Sequence, residues 1–169
     1  MSKWQSIFKW LMYSLMLIIF FLLETAVLTR VSLLGVHPLV VPLIVSTVAV
    51  FEGPWSGAFF GFSAGIFYDA FIPLSEGFYS IIFLIGCYLI GYLSQSVFQK
   101  NFLTSFLWNL IFLSFAQLMF FFIFFLLQSK AGLSALFTTY LPEVGVSMLF
   151  SPLIYFFSRG IYRGFTNDI

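Results

Sequence analysis

Charge is what this chain has least of. Lys, Arg, Asp and Glu together make up 8% of its 169 residues, too few to clothe a core in a polar shell, so a water-soluble globule is excluded. Seven basic side chains against six acidic ones leave a formal net charge of +1, and no cluster of Lys and Arg exists to engage nucleic acid. A lone cysteine, Cys87, excludes an internal disulfide. It sits in the apolar run IIFLIGCYLIGYL and reads as a small packing residue. One histidine, His37, one cysteine and isolated acids provide no ligand spacing for a metal site. Neither a phosphate loop nor a dinucleotide fingerprint occurs, so no cofactor and no enzymatic activity are expected.

What the chain does have is hydrocarbon. Hydrophobic residues account for 62% of it, 26 of them Phe, and the mean hydropathy is +1.08. The expected architecture is all-α: a polytopic membrane protein, a six-helix bundle with five to six spans of about 20 residues each. Short loops leave no room for a soluble domain, so residues 1–169 read as one transmembrane domain. Lys3 and Lys9 before the run from Trp10 to Leu23 resemble the start of a signal peptide. The run continues past Glu24 to Leu28, about 19 residues and long enough to span, so an uncleaved first helix is expected.

The apolar stretches place spans at 10–29, 38–51, 56–72, 78–97, 102–127 and 140–158. The second is short, because a start at Pro38 gives about 14 residues and roughly 21 Å against a hydrocarbon core of about 30 Å. It must tilt, borrow from Val31 to Val36, or stop short. Glu52-Gly53-Pro54-Trp55 reads as a turn, and the Phe-rich end of the fifth segment as a lipid-exposed surface. Pro142 suits the first turn of the sixth. With a cytoplasmic amino terminus and six spans, Lys3, Lys9, Lys100, Arg159 and Arg163 fall inside and only Arg30 and Lys130 outside, which the positive-inside rule favours. Trp4, Trp10, Trp55 and Trp108 then lie near the inner interface. That topology carries Glu24, Asp69 and Glu143 into the outer half of the membrane, with Arg30 nearby, and predicts a polar region open to that side. Glu143, just after Pro142, is also explained as a first-turn carboxylate at a helix N-terminus.

The most specific pattern is a ladder in the third segment. Gly57, Gly61, Gly65 and Asp69 recur every fourth residue in GAFFGFSAGIFYDAF. Glycines at that spacing strip one flank of a helix so that another can approach its backbone. An aspartate in the same row costs about 2.5 to 3.5 kcal/mol to insert and marks either a functional position or a hydrogen bond to a neighbouring helix. Embedded in the ladder, Gly61-Phe62-Ser63-Ala64-Gly65 matches the nucleophile motif of serine hydrolases. That motif works on a strained strand-to-helix turn, whereas here it lies within a helix and its glycines already have a role.

GFSAGIFYD followed by Gly77 resembles the G-F-x-x-G-x-x-x-D motif, with a further glycine eight residues on, of the rod shape-determining MreD family. The basic amino terminus, LLETAVL late in the first helix, and LPEVGVSMLFSPLIYFF before a basic tail are also similar; Glu76 departs from the usual apolar residue before the last glycine. The resemblance implies a non-enzymatic protein of the bacterial inner membrane, multi-pass with both termini cytoplasmic. It would act as a scaffold of the cell-wall elongation machinery, binding MreC and working in a complex with MreB, RodA and its transpeptidase, with no nucleic-acid partner. It also implies a fold similar to the substrate-binding subunits of energy-coupling-factor transporters. Gly61, Gly65, Asp69 and Gly77 carry the motif, with Gly57 extending the ladder as a helix-contact or partner-binding row. The alternative is a vitamin-type small-molecule binding subunit of a transporter, although the docking pattern expected in the first segment has only Ala26. A third reading, an ion route through Glu24 and Asp69, lacks a marked path to the inner side.

Overall fold

The computed structural model describes residues 3–28, 37–71, 77–96, 101–126 and 140–166. Among these residues the chain is all-α, a helical bundle without strands. Helix α1 (Lys3–Leu23) runs on into a wider π-type turn at Glu24–Leu28, followed by α2 (Val41–Glu52), α3 (Pro54–Phe71) and α4 (Phe78–Ser96). Helix α5 (Phe102–Phe120) ends in a second π-type stretch, Phe121–Leu126, and α6 (Leu141–Met148) and α7 (Ser151–Thr166) complete the bundle.

Three helical stretches are long and apolar enough to cross a membrane, Trp4–Ala26, Phe78–Gln95 and Phe102–Ile123, and the pair α6–α7 makes a fourth if taken as one bent span. Of the six stretches read from the sequence, those that form α2 and α3 are not among these: α3 has 18 residues, but Pro54, three glycines and Asp69 dilute its apolar content. Helix α2 has 12 residues, about 18 Å at helical rise, and starts at Val41 rather than Pro38. It stops short, with Pro42 in its first turn, where a missing N–H leaves no bond unmade. Val31 to Val36, which it might have borrowed, lie outside the described residues. The last segment is bent by 45° between Met148 and Ser151. Pro152 lies at the second position of α7 and cannot donate to the carbonyl four residues back, which breaks the ladder there. Beyond the bend, α7 continues to Thr166, past the expected limit at 158.

Helix α2 is the axis of the bundle. Val41 through Phe51 are all buried, enclosed by α1, α3, α4, α5 and α7. A helix apolar all round is one that belongs inside, and the run VPLIVSTVAVF fits that place. By contrast α1 presents a broad apolar face outward, with Ile7, Leu11, Leu15, Ile18 and Leu22 exposed while Tyr13, Met16, Leu17 and Phe21 point in. In a membrane that outer face meets lipid.

Candidate functional site

The glycine row of α3 lies on α4, in the most extensive helix contact of the molecule. A Cβ placed on Gly57 would stand 2.6 Å from Ala49 Cβ on α2, on Gly61 2.8 Å from Phe83 O, and on Gly65 2.5 Å from Ser80 Cα. Each distance is inside contact range, so side chains are excluded: Gly61 and Gly65 let α3 meet the α4 backbone, while Gly57 packs first against α2. Helix α4 answers with Gly91, where a Cβ would sit 2.5 Å from the carbonyl carbon of Gly53. Cys87 is fully buried at the centre of the seam, its Sγ 2.9 Å from the position of a Gly61 Cβ. Gly77 does not belong to this contact. Its φ is +88° and a Cβ on it would meet nothing within 4 Å, so it is a turn residue before α4, where a left-handed conformation favours glycine.

Asp69 closes the same seam. Its carboxylate accepts from the backbone N–H of Tyr79 at 3.0 Å, from the N–H of Ser80 at 2.9 Å and from the Ser80 hydroxyl at 2.6 Å. Both N–H groups belong to the first turn of α4, which has no partners of its own for them. A negative group is favoured at that end of a helix. Asp69 therefore caps the helix that its own glycines pack against.

Glu24 does the same for α2. It is buried, and one carboxylate oxygen accepts from the N–H groups of Val40 at 2.8 Å and Val41 at 3.0 Å while the other takes the Tyr68 hydroxyl at 2.6 Å. Burying a carboxylate is costly unless its oxygens are satisfied, and here three donors do that. Glu143, in the first turn of α6, bonds the Gln117 side chain and lies within electrostatic reach of Glu24. Ser147 links the same corner, its hydroxyl donating to Glu143 O at 2.6 Å and accepting from Leu39 N–H at 2.8 Å. Tyr79 stacks edge-on to Tyr68 with centroids 4.8 Å apart and joins this group to the Asp69 cap. The structure thus sets Glu143 within electrostatic reach of Glu24, places Asp69 beyond the Tyr68–Tyr79 pair, and leaves Arg30 outside the described residues.

No family model, curated protein or solved structure matches this chain.

Two further polar centres were not anticipated from the sequence. Midway along α2, Asn109 of α5 is fully buried and bonded to Ser46, to Thr47 and, at 2.9 Å, to Ser151 of α7, with Ser105 also reaching Thr47 at 3.4 Å. The face of α5 that carries Asn109 and Gln117 is buried. At the far end of α2, Lys9 Nζ lies 2.6 Å from Glu52 Oε2, and Tyr13 donates to Oε1 at 3.1 Å. In the sequence Lys9 belongs to the basic amino terminus and Glu52 to a turn, and their one visible signal is that each is a lone charge at the edge of an apolar run. Ser63, centre of the hydrolase-like motif, donates to Phe59 O one turn back at 2.9 Å, an ordinary intrahelical bond rather than a strained nucleophile. Among the described residues no group of three His, Cys, Asp or Glu could hold a metal.

Proposed function

We propose that the protein is a membrane scaffold of the bacterial cell-wall elongation machinery, of the MreD type, that maintains rod shape by binding MreC. What supports the reading is the use made of the motif. Gly61, Gly65 and Asp69 are all spent on fixing α3 to α4, as suits a frame that presents surfaces rather than a site that turns over substrate. The broad apolar faces left on α1 and α3 offer room for a partner's membrane segment. MreB, RodA and its transpeptidase would be reached through the same assembly, in an inner membrane with both termini cytoplasmic. The charged inner face would then be the end that holds the Lys9–Glu52 pair.

The test is recovery from native membranes. A functional tagged copy expressed in place of the chromosomal one should bring down MreC as a major partner after mild cross-linking, and its depletion should turn rods into spheres. Retention of rod shape on depletion, or absence of MreC from the recovered complex, overturns the reading.

A further inference from the structure

Between α1 and α3 lies a groove of about 610 Å³, lined by Trp10, Leu17, Trp55, Phe59, Ser63 and Ala64 among others. The two helices are stitched very differently at its two ends. Near Glu24, the Phe21 ring meets Phe67, Tyr68 and Phe71 of α3 at 5.9, 6.3 and 4.9 Å between centroids, and the Glu24 carboxylate is buried under three donors. Near Lys9, the rings of Trp10 and Tyr13 face Phe60 across the groove, at 6.0 and 6.2 Å. There α1 is held to the bundle by the ion pair with Glu52 and the Tyr13 bond to the same carboxylate. Along its middle, α1 keeps the contacts of Met16 with Ser158 and of Phe20 with Phe157 on α7.

From this asymmetry we propose that α1 is a hinged strap, pivoting about Glu24 and latched at its other end by Lys9 and Glu52, so that release of the ion pair widens the groove between α1 and α3. The pivot has the structure of a hinge. The helix opens there into the π-type turn Glu24–Leu28, and Thr25 turns its hydroxyl back to Phe21 O at 2.9 Å; such local widenings mark places where a helix departs from its regular ladder. The latch is a single pair of side-chain charges, both largely buried, that separates without orphaning any main-chain group, in contrast to the backbone donors that Glu24 would orphan. The inference does not depend on the scaffold reading.

Spin labels test it directly. In a Cys87→Ser background, one pair of nitroxides at Leu11→Cys and Phe59→Cys reports the latch end, and a second pair at Leu22→Cys and Ile66→Cys reports the pivot end. In lipid nanodiscs, Lys9→Glu should lengthen the first distance by about 5 Å or more, the scale of one helical turn, and leave the second unchanged. The exchange Lys9→Glu with Glu52→Lys should restore the original distance. If Lys9→Glu is not monodisperse, Glu52→Gln, which keeps the side-chain shape, serves in its place with the same expected direction. An unchanged first distance, or equal lengthening of both, or failure of the exchange to restore it, overturns the hinge.

Discussion

Helices α4 and α1 flank the same central pair, α2 and α3, yet they are attached by opposite means. Along the α3–α4 seam little more than the Cys87 side chain stands between the backbones, from Gly91 beside Gly53 at the entry to α3 to Gly65 beside Ser80. Helix α1 is fixed at points, by Glu24 to the start of α2 and by Lys9 to its end, with a groove beside it. The difference follows from the solvent. Lipid tails are as apolar as leucine, so helices in a membrane gain nothing by hiding apolar surface from them. They associate through close packing or through polar bonds. The seam relies chiefly on the first means, with the Asp69 bonds at its end, whereas α1 leans more on the second, and close backbone packing leaves the less room for adjustment.

The comparison is broken most severely at Gly65. Gly65→Leu drives a branched side chain into Ser80 backbone, and a loss of about 3 kcal/mol or more is expected, read as a lower midpoint when the purified protein is titrated from mild detergent into dodecyl sulfate. A Leu tolerated without loss would mean that the seam can open, and that the contrast with α1 is not one of rigidity. Glu24→Ala comes next. It leaves two buried N–H groups and a tyrosine hydroxyl without their acceptor, a cost of about 2 kcal/mol by the same titration, whereas Glu24→Gln, which keeps one acceptor oxygen, should lose less. The smallest effect sharpens the comparison from the other side. Gly160 on α7 meets nothing within 4 Å of a would-be Cβ, so Gly160→Ala should be neutral or stabilising by up to about 1 kcal/mol. The glycine residue alone would then be shown not to make the seam.

How much of this was legible in the sequence depends on whether the cause was local. The every-fourth spacing of Gly57, Gly61 and Gly65 is a property of one helix, and it pointed to a close helix contact without saying with which helix. Asp69 was legible as an anomaly, but its donors are main-chain groups ten and eleven residues on, and a backbone N–H has no letter in a sequence. Loop charges put Glu24 and Glu143 in one half of the membrane, while nothing in the sequence marks Tyr68 and Gln117 as the residues that bond them. Asn109 was hidden for the same reason: inside LWNLIF it is one polar residue in a hydrophobic run, and its meaning depends on Ser46, Thr47 and Ser151 arriving from other helices. The bend before Pro152 was available from the proline itself and was read through as one continuous span.

The shortness of α2 has a consequence for how the protein is made. A helix of 12 residues, about 18 Å against a hydrocarbon core of about 30 Å, cannot bring both of its ends to water in a bilayer, and its unpaired end groups need partners within the protein. One of those ends is capped by Glu24, and Lys9 balances the Glu52 charge at the other. Glu24 and Lys9 both precede α2 in the chain. Synthesis therefore supplies the N-terminal cap of α2, Glu24, and the counter-charge to its Glu52, Lys9, before the helix that uses them.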